Sequence, residues 1–92
     1  MKRGKERDKL LSFEEVTPEK AQKFIKTSNQ KSIQEKTILK YVKMFQEGYE
    51  PHKDEPAIEF VNGSLKNGNH RLRAIIRLGK PLKLWIIRRQ EQ

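Results

Sequence analysis

The residues best placed to do chemistry lie together in Asn67-Gly68-Asn69-His70-Arg71. A glycine-containing break stands immediately before an apolar pattern of helical spacing, Leu72, Ile75, Ile76 and Leu78. A loop feeding a helix start offers unpaired backbone N–H groups and the positive end of the helix dipole. His70 and Arg71 stand at that start, so the chemistry available is anion binding, phosphate above all. The same residues could also form only a turn and a cap, with Arg71 a solvated first-turn side chain. A second cluster, His52, Asp54 and Glu55, has metal-ligand residue types. It sits between Pro51 and Pro56, where an exposed loop is expected rather than a metal site.

The elements that must position the corner are legible in order. Leu10 to Val16 reads as a first strand. Thr17-Pro18-Glu19 starts a helix, with Thr17 as N-cap and Pro18 at the first helical position. Ser32-Ile33-Gln34-Glu35 matches a capping box, with Ser32 as N-cap. Ile38, Tyr41, Val42 and Phe45 then form a buried stripe that Gly48 ends. Asn62-Gly63 suits a type I′ hairpin turn between Ile58–Val61 and Ser64–Lys66. Gly79 offers a stop for the third helix. Pro81 to Arg89 reads as a last strand apolar on both faces, hence central in its sheet. The order β-α-α-β-β-α-β predicts a small α+β domain, a mixed sheet with about three helices packed on it. Ile38, Val42, Phe45, Phe60, Ile75, Leu84 and Ile86 are its expected core.

The 92 residues predict one domain from residue 10 to 92, preceded by a basic, flexible arm at 1–9. No cysteine is present, which excludes a thiol nucleophile, a thiolate zinc site and a disulfide frame. No apolar run spans a bilayer and no signal-peptide pattern is seen, so a cytoplasmic protein without membrane contact is expected. The formal charge of +9 favours polyanionic partners, although it can also serve solubility alone.

Several segments, taken in order, resemble the ParB/sulfiredoxin superfamily, and within it the small ParB-like domains of phages and other mobile elements. Val16-Thr17-Pro18-Glu19 with Ala21 is similar to its opening "ItPe-A". Ile38 through Val42 and Phe45 to Gly48 resembles its second helix, and Ile58 to Leu65 its "I-x-F…G-x-L" hairpin. Asn67-Gly68-Asn69-His70-Arg71-Leu72-Arg73-Ala74 is similar to its signature "D-G-Q-H-R-L-x-A". The likeness runs from Val16 to Arg89. It implies a phosphate clamp at Asn67, Gly68, Asn69, His70 and Arg71 for a nucleotide of CTP or ATP type, with Mg²⁺, or for nucleic acid. Arg73, Arg77, Lys80, Arg88 and Lys31 would enlarge the field for nucleic acid.

The departures matter as much. Asn69 stands where sulfiredoxin carries its catalytic cysteine, so reductase chemistry is not expected. Asn67 replaces an Asp that could hold Mg²⁺ or act as a base. Lys31 stands where relatives often carry an Arg. The sequence ends after the last strand, so neither a helix-turn-helix nor a C-terminal dimerisation domain is expected. A binding module is therefore the first expectation, and no catalytic residue is assigned. A small effector that binds and inhibits a host protein is the alternative. A ParB-like nuclease or NTPase, with His70 as acid or base, comes third. The oligomeric state is left open.

The charge alone generates a test. Duplex DNA should bind weakly and without sequence preference, with affinity falling steeply as salt rises, because counterion release drives such binding. Removing residues 1–9 should flatten the salt slope. Fluorescence anisotropy at low and physiological salt checks both, and no binding at low salt assigns the charge to another role.

Overall fold

The computed structural model of the chain describes residues 9–30, 32–49 and 56–91. Residues 1–8 of the expected arm at 1–9, Lys31, and the His52–Asp54–Glu55 cluster fall outside the described residues, whereas Lys9 begins a strand. Four strands and three helices follow one another: β1 (Lys9–Val16), α1 (Pro18–Ile25), α2 (Glu35–Gln46), β2 (Ile58–Val61), β3 (Ser64–Asn67), α3 (Asn69–Leu78) and β4 (Leu82–Arg89). The strands form one sheet in the order β1-β4-β2-β3. β1 pairs antiparallel with β4, β4 parallel with β2, and β2 antiparallel with β3. The domain is α+β with a mixed sheet, and β4 is an interior strand, as its two apolar faces predict.

Local chemistry accounts for most element ends. Thr17 Oγ1 accepts from the Lys20 backbone N–H at 3.1 Å, and Pro18 needs no partner at the first helical position. Asn62 and Gly63 both have positive φ, 50° and 84°, as a two-residue I′ turn requires. Val61 and Ser64 close the hairpin, and Asn62 Oδ1 accepts from the Glu91 N–H at 2.8 Å.

One expected cap is corrected. Ser32 does not cap α2. The helix starts at Glu35, and its N-cap is Gln34, which makes no side-chain capping bond. The Gln34 N–H is taken instead by His70 Nε2 at 3.1 Å, and Glu35 reaches across to Arg77 on α3. Tertiary partners from α3 thus replace the local box that residue types alone suggest.

The core lies between the helices and one face of the sheet. Ile38, Phe45, Phe60, Ile75, Leu84 and Ile86 are buried there together, with Val16, Ala21, Ile58, Leu65, Leu72 and Ala74. Val42, expected in the core, is half-buried at its margin. α3 packs against both α1 and α2, so its position sets that of the other two helices. No helix among the described residues is long and apolar enough to cross a membrane.

On the helix-facing side of the sheet, Glu14 of β1 gathers three partners. Arg88 donates to its two oxygens at 2.6 and 3.3 Å, Lys20 Nζ donates at 3.0 Å, and the Ser12 hydroxyl donates as well. The Arg88 guanidinium also lies 5.6 Å from the Phe60 ring centre. Arg88 beside it holds the Glu14 carboxyl down to about 2, against an opposing effect of burial. A depressed folded value gives stability that is complete above the ordinary carboxylate range and is lost as pH falls toward 2. Fully protected, a shift of that size would correspond to about 3 kcal/mol, and solvent access at this rim reduces it to roughly 1–2 kcal/mol. Glu14→Gln should therefore lose stability near neutral pH and show a flatter acid limb between about pH 4.5 and 2. Urea unfolding across that range, wild type against variant, measures the difference.

Candidate phosphate-binding corner

The corner depends on Gly68. It is the N-cap of α3 and has φ of 108°, which L side chains rarely adopt. A Cβ there would overlap Ile58 Cδ1 and stand 3.3 Å from Ile58 Cα. Glycine therefore lets the start of α3 press directly against β2. The Gly68 carbonyl accepts the first helical bond, from Leu72 N at 3.0 Å. The N–H groups of Asn69, His70 and Arg71 precede that bond and have no partner within the helix.

The signature side chains divide sharply in what they do. Asn69 is buried; its Nδ2 donates to Ser28 Oγ at 2.9 Å, and its Oδ1 accepts from Arg73 Nε at 2.7 Å. It ties α3 to the segment after α1. His70 accepts the Gln34 N–H on Nε2, so in the neutral ring Nδ1 carries the proton. It ties α3 to the start of α2. Arg71 is only 8% exposed, so it is not a solvated first-turn residue. Its Nη1 donates to the Pro56 carbonyl at 2.7 Å. An arginine has five N–H donors. Among the described residues no carboxylate pairs with Arg71, and none of its nitrogens is both sealed from solvent and unbonded.

Arg71, whose other donors have no partner among the described residues, lines a pocket of about 260 Å³. Asn67, Gly68, Asn69, His70 and Arg71 all line it, so the five residues expected at the site do converge. Gln30, Thr37, Tyr41, Tyr49 and Pro56 form its other walls. Tyr41 belongs to the stripe that helical spacing assigns to the core, yet it is half-buried and borders the pocket. Gln30 directly precedes Lys31, the position at which relatives in the family likeness often carry an Arg. Tyr49 stands where an aromatic usually follows in the family likeness, whereas Thr37 and Pro56 carry no signal in the sequence, because they arrive from α2 and the segment before β2. The described lining contains one cation and no carboxylate, so its field favours an anion. The described lining supplies no carboxylate to hold Mg²⁺.

The residues expected to widen a nucleic-acid field are not gathered here. Arg77 forms a bidentate pair with Glu35, Arg88 is held by Glu14, and Arg73 is bonded to Asn69. Lys80 is exposed beyond the end of α3. Gly68, Asn69 and Arg71 are all buried, so substitutions at this corner bear on the fold as well as on binding.

No family model, curated protein or solved structure matches the chain.

Gly68→Ala should destabilise by roughly 2–4 kcal/mol, from the positive φ and from overlap with Ile58. Ile58→Val removes the Cδ1 methyl that the new Cβ meets. It should cost less in the Gly68→Ala background than in the wild type. Denaturant unfolding of the four proteins gives the coupling, and simple additivity would show that the overlap does not govern this position.

Proposed function

We propose that the chain is a binding module whose pocket at the start of α3 takes the phosphate of a nucleotide. One observation carries the reading. Arg71 is buried with one N–H fixed on Pro56, and it lines a pocket at a helix N-terminus that holds no described carboxylate. A buried guanidinium without an anionic partner is costly, and a phosphate accepting two of its N–H groups offsets that cost. The backbone N–H groups of the first turn add donors from a second direction. The likeness of Asn67–Ala74 to the ParB/sulfiredoxin signature supports the same assignment.

Size and shape support a small ligand over a duplex backbone. The pocket is near the lower end of the roughly 300–1,000 Å³ of ordinary ligand clefts. It suits a di- or triphosphate, with the nucleoside toward Tyr41 and Tyr49. Binding rather than turnover is favoured by His70. The one lone pair of its neutral ring is occupied by the Gln34 N–H, which removes it as a ready base. Magnesium, where it takes part, would arrive on the phosphates.

Titration of CTP, ATP and inorganic tripolyphosphate, followed by backbone amide shifts, tests the reading. Amides of Gly68 to Leu72 should move with a nucleoside triphosphate, and tripolyphosphate should reproduce part of the change. Arg71→Lys should weaken binding about 10- to 100-fold, because a point charge cannot reproduce the fork. Its melting temperature without ligand separates lost affinity from lost fold. Saturating ligand that leaves Gly68 to Leu72 unmoved would remove the assignment.

A further inference from the structure

All three helices pack on one face of the sheet, and the other face carries an apolar block. The pairing places Leu11 opposite Ile87 and Phe13 opposite Trp85. The Phe13 and Trp85 rings lie 4.9 Å apart, centre to centre. Val61 of β2 continues the block, since its neighbour Phe60 points into the core. Leu11 is 60% exposed and Phe13 47%. None of these five residues belongs to the core cluster or packs against it. Contiguous apolar surface on one sheet face marks an interaction site more often than chance.

Charge on this face decides what covers it. Glu15 is opposite Lys83 at one end, and Arg89 Nε lies 2.9 Å from Glu59 Oε2 at the other. Lys66, exposed on edge strand β3, adds one positive charge at the periphery. Lys9 takes the register position opposite Arg89, so this face has four basic and two acidic positions and carries only a small part of the chain's +9. A polyanion gains little from such a surface. A second copy of the same face meets both signs at its rim and an apolar centre, which is the self-complementarity a two-fold contact requires.

We propose that two copies of this chain pair through the open sheet face, with Leu11, Phe13, Trp85 and Ile87 at the centre. Strand spacing and rise put the face at roughly 400 Å² per copy, and so a total below about 1,200 Å², where weak, reversible contacts lie. The net charge of each chain opposes approach and the apolar contact favours it. Salt screens the first and leaves the second, so pairing should strengthen as salt rises. Nucleic-acid binding has the opposite salt dependence.

Sedimentation equilibrium of the full chain, from about 10 μM to about 1 mM at low and high salt, is the test. A reversible dimer is expected, several-fold tighter at high salt, with the emission of Trp85, the single tryptophan, moving to shorter wavelength as it forms. Leu11→Arg, at an exposed position, should keep the melting temperature and weaken the dimer at least tenfold. A chain that stays monomeric at the highest concentration and salt overturns the proposal. So does a dimer indifferent to Leu11→Arg. Perturbation of Trp85 by oligothymidylate, in place of self-association, would hand the face to single-stranded nucleic acid.

Discussion

The absence of a side chain at Gly68 is what the rest of the molecule depends on. Helix α3 can meet β2 only because nothing separates their backbones at that point. The contact fixes where α3 begins, and α3 in turn carries the other two helices. Asn69 then reaches Ser28 beyond α1, and His70 reaches Gln34 at the head of α2. Each is one residue further along the first turn, so the two bonds leave in different directions. A single turn of helix thereby holds three segments far apart in sequence. Displacing Gly68 by even a methyl group would move all of these partners together.

That division of labour explains why the corner can be both structural and available to a ligand. Asn69 uses both Nδ2 and Oδ1 within the protein, and His70 uses Nε2. Arg71 has donors left over, because a guanidinium has more donors than the Pro56 carbonyl can accept. The excess is oriented by burial of the stem and by that one bond, so little rotamer freedom remains to be lost on binding. The backbone N–H groups of the first turn are fixed in the same way, by the close approach to β2. Preorganisation here follows from packing, without need of a flexible lid.

Element types were legible in the sequence because local chemistry decides them. Thr17-Pro18, Asn62-Gly63 and Gly79 each impose a backbone geometry whatever surrounds them, and all three stand where their residue types require. The stripe from Ile38 to Phe45 and the two-faced apolar run of β4 likewise identified their elements. The capping box at Ser32 misled for an instructive reason. Its bonds are worth about as much as those that Gln34 and Glu35 make with α3, and the tertiary partners won. The five residues of the corner were found from a motif. Their roles were not, since burial of Arg71 and the overlap at Gly68 arise from β2 and Pro56, which sequence spacing cannot bring near. Ser28 and Thr37 had no local signature at all.

The same physics separates two kinds of positive charge in the chain. Arg77, Arg88 and Arg89 each face a carboxylate, so their fields are largely cancelled within a few ångströms. Net charge alone would have assigned all three to a polyanion. Lysines of the exposed helix surfaces, such as Lys36, Lys40 and Lys43 on α2, keep their charge facing water. They set a diffuse, salt-sensitive attraction that draws anions in from a distance. Arg71 is different again, being buried, without a described acidic partner, and in the turn of helix braced against β2. Under the proposed reading, long-range attraction and local recognition rest on different residues. A substitution on the outer face of α2 should change the rate of encounter, whereas one at Arg71 should change how long the anion stays.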